Sequence, residues 1–169
     1  MNNCNQPQQP VFSGAKSHTL GDEPPAHAQH KVMGTTFTVS PGDVLYAHVY
    51  IDPKRPPRQL MLQWHAKDAE KEKAWDHRAS WGEDVLPWQP RASMGAPPAA
   101  GEWARLEIPA HVLGFNAETT VDGISFDQVG GVVYWDKIGV VRRPAFRSPE
   151  TVGDMLWALL SGPEFHYVK

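Results

Sequence analysis

The residues of this chain best suited to chemistry gather between positions 63 and 88. In AWDHRASW (74–81), extended spacing puts Trp75, His77, Ala79 and Trp81 on one strand face, and Asp76, Arg78 and Ser80 on the other. Gln63 and His65 sit on the preceding strand, and Trp88 in the following loop. Flat aromatic faces stack on the C–H surfaces of sugar rings, while amide, imidazole and guanidinium groups bond hydroxyls. Gln63, Trp75, His77, Arg78, Trp81 and Trp88 are therefore the candidate ligand-binding residues. Alternation does not say which face looks inward. If Trp75 and Trp81 belong to the core, Asp76 and Arg78 become the functional residues instead.

Other constellations carry weaker signals. Of the eight histidines (His18, His27, His30, His48, His65, His77, His111, His166), only His27 and His30 are spaced like ligands, and a lone HxxH is weak. There is no HExxH and no Cys/His box, so a zinc or copper site would have to be assembled from distant strands. Glu83 with Asp84, or Asp127 with Asp136, have the composition of a glycosidase pair, but nothing in the sequence separates them from solvated acids. No nucleophile elbow, phosphate loop or nucleotide motif is present. The chain reads as a binding module; a metal-dependent polysaccharide-active enzyme is the catalytic alternative.

These residues need elements to position them, and the composition says which kind. A chain of 169 residues suits one domain, which at this size buries roughly two thirds of its unfolded surface without disulfides. Sixteen prolines and fourteen glycines favour many short elements joined by turns. Strands are predicted at 13–19, 30–39, 43–52, 59–65, 74–81, 102–109, 122–129 and 132–141, the last two joined as a hairpin by Gly130–Gly131. Segment 82–101 reads as a long irregular loop. The strand at 43–52 alternates most cleanly, with Leu45, Ala47, Val49 and Ile51 opposed to Tyr46, His48 and Tyr50. About eight strands at this spacing make an all-β sandwich.

The ends differ. Residues 1–12 are Asn/Gln/Pro-rich and read as a disordered leader, without the features of a signal peptide; Cys4 reads as a free thiol. At 144–169 a helical tail is expected: Ser148 caps, Pro149 opens, Gly162–Pro163 closes, and Val152, Met155, Leu156, Leu159 and Leu160 form an apolar stripe. That stripe suits docking on the sandwich, self-association or a protein partner. A net charge of −3 gives no electrostatic reason for a nucleic-acid partner, and no segment is long and apolar enough to cross a bilayer.

Three stretches, GDVLYAHVYIDPKRPPRQLMLQWH with WDHRASWGED, MGAPPAAGEWARLEIPAHVLGF, and DGISFDQVGGVVYWDKIGVV, together with SGAKSH, resemble a module of large planctomycete surface proteins and repeat-rich secreted proteins. Such modules look like galactose-binding-type jelly rolls, the architecture of many carbohydrate-binding modules. The tail ETVGDMLWALLSGPEFHYVK resembles the end of the uncharacterised C-terminal domain of the same proteins. The resemblance implies a jelly-roll β-sandwich over 13–143 and a polysaccharide or glycan ligand. It also implies an extracellular or periplasmic place within a longer exported chain. A structural or protein-interaction role is the alternative. It further implies a structural Ca²⁺ near the first and last strands, with Asp136 as the matching ligand and Asp22 and Glu23 as loop carboxylates that can assist.

Overall fold

A computed structural model describes residues 9–21 and 26–143, and these are all-β. The strands in chain order are β1 (His18–Thr19), β2 (His27–Val39), β3 (Val44–Ile51), β4 (Gln59–Ala66), β5 (His77–Gly82), β6 (Ala92–Ser93), β7 (Trp103–Pro109), β8 (Thr119–Val129) and β9 (Val133–Val141), with a single 3₁₀ turn at Ala110–Leu113. They form two sheets, ordered β1-β9-β3-β7 and β2-β8-β4-β5-β6, that enclose one core as in a β-sandwich. The pairings are nested. β4 meets β5, β3 meets β7, β2 meets β8 and β1 meets β9, each pair antiparallel and each enclosing the one before it.

The alternation seen in the sequence decides what faces inward. Leu45, Ala47, Val49 and Ile51 of β3 meet Leu60, Leu62 and Trp64 of β4 in the core, with Ile108, Phe126, Val133 and Trp135 from the other strands. Each fully buried Leu or Ile contributes about 1.5–3 kcal/mol. The turn SPGD closes as expected, with the Asp43 N–H donating to Ser40 O (3.0 Å) and the Asp43 carboxylate accepting from the Ser40 N–H (2.9 Å).

Three expectations change. The Gly130–Gly131 pair is a crossover between sheets and not a hairpin, because β8 and β9 lie in different sheets. Both glycines have positive φ, 64° and 68°. The surrounding backbone bonds run outward, from Gly130 N–H to Ala26 O (3.0 Å) and from Val132 N–H to Arg55 O (2.8 Å). A side chain at Gly131 would strike the backbone of Pro56 and Pro57 (2.6 Å), so this position needs glycine for both space and φ. The expected strand at 13–19 contracts to two residues. The loop at 82–101 contains β6, which pairs parallel to β5.

At the N-terminal end Phe12, the last residue of the expected leader, packs on His48. Residues 1–8 of the expected leader 1–12, the loop acids Asp22 and Glu23, and the helical tail expected at 144–169 lie outside the described residues. Among the described residues no helix is long and apolar enough to cross a membrane.

β1 is tied to the second sheet by a His18 Nε2···His30 Nδ1 hydrogen bond of 2.9 Å. Burial, and then the neighbouring His30 charge, hold the His18 imidazole below its usual pKa of 6.5. A base whose folded pKa is lowered binds fewer protons folded than unfolded, so its contribution is intact above the unfolded value and declines as pH falls below it. We therefore expect wild type to lose more stability than His18→Asn between pH 7.5 and 5.5 in urea unfolding. Equal losses would show that His18 titrates as it does in the unfolded chain.

Candidate functional site

The sheet containing β2, β8, β4 and β5 turns one face away from the core, and this face carries the candidate site. Its floor is polar but buried. Asp127 on β8 is fully buried, and its Oδ1 accepts from Gln29 Nε2 (2.8 Å) and lies 3.2 Å from His27 Nε2. Its Oδ2 accepts from Gln63 Nε2 (2.7 Å) and Ser125 Oγ (2.9 Å). Gln63 Oε1 in turn accepts from Arg78 Nε (2.8 Å). The network thus crosses four adjacent strands, which a buried carboxylate requires if its lone pairs are to be satisfied.

The same network pins the loop that follows β5. Arg78 Nη1 donates to the carbonyls of Gln89 (2.8 Å) and Pro90 (3.2 Å) and to Asp76 Oδ1 (3.0 Å). Gln59 Oε1 accepts the N–H groups of Val85 (3.0 Å) and Leu86 (2.8 Å). Leu86 packs on Met61 and Val129, and Trp88 lies against this small apolar cluster. Arg91 reaches back to Asp84 and to the carbonyls of Leu86 and Trp88. A loop that looks irregular in the sequence is therefore held by side chains of the sheet beneath it, and Trp88 is presented in a fixed place.

Above this floor, the outward row of β2 runs His27, Gln29, Lys31. The Trp88 ring lies 5.1 Å from His27 at one end, and at the other the Lys31 Nζ sits 4.9 Å from the centre of the Trp75 ring. Trp75 also meets the His65 ring edge-on at 4.9 Å, and His65 Nδ1 is 2.5 Å from Asp122 Oδ1. Gly123 leaves room for the Met33 side chain, which would strike any Cβ placed there. The two indoles thus bracket five residues of strand, His27 to Lys31, whose four steps span about 13 Å at the usual rise.

The sequence-predicted residues divide. Trp75, Trp88, Gln63 and Arg78 lie on this face, with Gln63 (4% exposed) and Arg78 (7%) buried beneath the loop and bonded into the network that holds it. Trp81 is in the core, and His77 stacks on Phe115 (3.8 Å between centres) with its Nδ1 2.9 Å from Leu113 O. Sequence reading missed His27, Gln29, Ser125 and Asp127 as partners. An aspartate in the middle of a β-branched and aromatic strand such as DGISFDQV was the available signal, since Asp is depleted in strands unless something holds it.

The remaining constellations dissolve on geometry. His27 and His30 are three residues apart on a strand and so face opposite sides, one toward Asp127 and the other toward His18. Asp127 and Asp136 lie on the outer faces of different sheets, so they form no catalytic pair. Glu83 is paired with Arg58 (2.6 Å), which holds its carboxyl below the usual range, and Asp84 is paired with Arg91. Of the expected calcium ligands only Asp136 is among the described residues: its Oδ2 accepts the N–H groups of Phe12 and Ser13 (both 3.0 Å) and its Oδ1 that of Lys137 (2.7 Å), while Asp22 and Glu23 lie outside them. Among the described residues no three of His, Cys, Asp and Glu are grouped to hold a metal. No protein-family profile, curated protein or solved structure matches the chain.

Proposed function

We propose that this protein is a non-catalytic carbohydrate-binding module of the jelly-roll type, taking an extended glycan along β2 between Trp88 and Trp75. The observation that carries the reading is the outward row His27–Gln29–Lys31 with one indole at each end. Indole faces stack on pyranose C–H surfaces, and the row between them supplies imidazole, amide and ammonium groups for hydroxyls. The span of about 13 Å favours an oligosaccharide segment over a single sugar. The buried Asp127–Gln63–Arg78 network fixes Trp88 before any ligand arrives, so less ordering opposes binding. The nested strand pairing is the arrangement of a jelly roll and supports that finer fold assignment. The extracellular or periplasmic setting belongs to the same reading.

A binding screen on a glycan array and on insoluble polysaccharides tests it. Trp75→Ala and Trp88→Ala should each weaken retention by about tenfold, the worth of one stacked ring. Retention by no glycan, or retention indifferent to both substitutions, would sink the reading.

A further inference from the structure

The opposite face of the molecule is built as a grid. On the outer side of the sheet β1-β9-β3-β7, strand register places Trp103, Tyr50 and Tyr134 in one row across three strands. The next row is Arg105, His48 and Asp136, and the third is Glu107, Tyr46 and Gly139. Tyr50 is 5.8 Å from Trp103 and 6.1 Å from Tyr134 between ring centres. The Tyr46 ring lies against Gly139, where a Cβ would come within 3.0 Å of its Cζ, and the Arg105 guanidinium lies over the ring at 4.1 Å. An aromatic row beside a row of guanidinium, imidazole and carboxylate is a second surface with the composition for sugar binding.

The chain itself occupies the middle of this grid. Phe12 stacks on His48 at 3.9 Å and 20°, meets Trp103 edge-on at 5.7 Å, and lies under the Lys137 ammonium. The consecutive N–H groups of Phe12 and Ser13 both donate to Asp136 Oδ2. A flat ring on an aromatic wall with two adjacent donors on one carboxylate is how a pyranose with neighbouring hydroxyls would sit. Phe12 remains 43% exposed, so its own burial holds it there weakly, while His48 beneath is reduced to 6% exposure.

The geometry points to a second carbohydrate-binding surface at Trp103, Tyr50, His48 and Asp136, with Phe12 as a displaceable cover that competes with the glycan. The surface shares the ligand class of the first site but none of its residues. Removing the cover raises apparent affinity, because the ligand no longer waits on the fraction of open molecules.

The test uses the full chain and its retention on cellulose, chitin, xylan and a β-1,3-glucan, with thermal unfolding of each variant as control. Phe12→Ala should bind at least one of the four roughly threefold to tenfold more tightly than wild type. Trp103→Ala in the Phe12→Ala background should erase the gain, and Trp88→Ala in that background should leave it. If Trp103→Ala lowers the unfolding temperature, Tyr50→Ala carries the same decision. No gain from Phe12→Ala on any of the four, or a gain that survives both aromatic substitutions, overturns the proposal. Wild-type retention lost in Trp88→Ala, without a gain in Phe12→Ala, would retain the first site and remove this one. Wild-type retention indifferent to both Trp75→Ala and Trp88→Ala, with a Phe12→Ala gain erased by Trp103→Ala, would do the reverse.

Discussion

Asp127→Ala should lower stability by about 3 kcal/mol or more, read as a fall in the urea midpoint at constant slope. The carboxylate is fully buried and is the common partner of Gln29, Gln63, Ser125 and His27. Truncation leaves these groups without their acceptor in a place where water does not reach the Gln63 or Ser125 ends, and each stranded buried polar group costs about 1–3 kcal/mol. Asp127→Asn keeps the shape and one acceptor oxygen, but turns an NH₂ toward groups that also donate. It should cost less than Ala and still more than 1 kcal/mol by the same argument. Arg78 would lose its anchor through Gln63, so the loop bearing Trp88 should loosen and glycan retention should fall with stability. A loss below about 1 kcal/mol for Asp127→Ala would mean that the network is solvated and does not hold the loop.

Trp81→Ala should be as severe, at about 3–5 kcal/mol, for a different reason. Trp81 is 5% exposed in the main core, where truncation opens a cavity that the surrounding β-sheet cannot close. Trp88→Ala removes a half-buried ring from a cluster of only Met61, Leu86 and Val129, and should cost well under half as much. Binding should show the opposite order: the folded fraction of Trp81→Ala, or the milder Trp81→Phe, should retain glycan while Trp88→Ala does not. Thermal unfolding and polysaccharide retention measured on the same preparations separate the two tryptophans. Equal stability losses would show that Trp88 is as much a core residue as Trp81.

Alternating residues and turn signals located most of the strands, because a period of two is a local property of an extended chain with one wet face. The segments around β3, β4, β7 and β9 needed only minor adjustment of their ends. The candidate site was half legible. Arg78 and Gln63 were named from their types, yet their role as holders of a loop depends on Gln89, Pro90, Val85 and Leu86 folding back over the sheet, which no spacing announces.

The sequence by itself determined that the described chain is all-β, which residues of β3 share a strand face, and where the backbone must turn; it did not do so at 74–81, where Trp75 precedes β5 and lies with Lys31 and His65 while Trp81 enters the core. The face of β5 that looks inward was a tertiary decision. Ala79 and Trp81 go to the core because Leu60, Leu62 and Phe126 meet them there, leaving Arg78 and Ser80 outward under the loop. Sheet assignment was tertiary too. Two glycines with positive φ suit a tight hairpin and a crossover equally well, and the carbonyls of Ala26 and Arg55 settled it by taking the N–H groups. The partners of Asp127 come from residues 27 to 125, so their meeting waits on strand order, which local preference does not encode. Periodicity is local; which buried surfaces fit together is settled only when the whole core is packed.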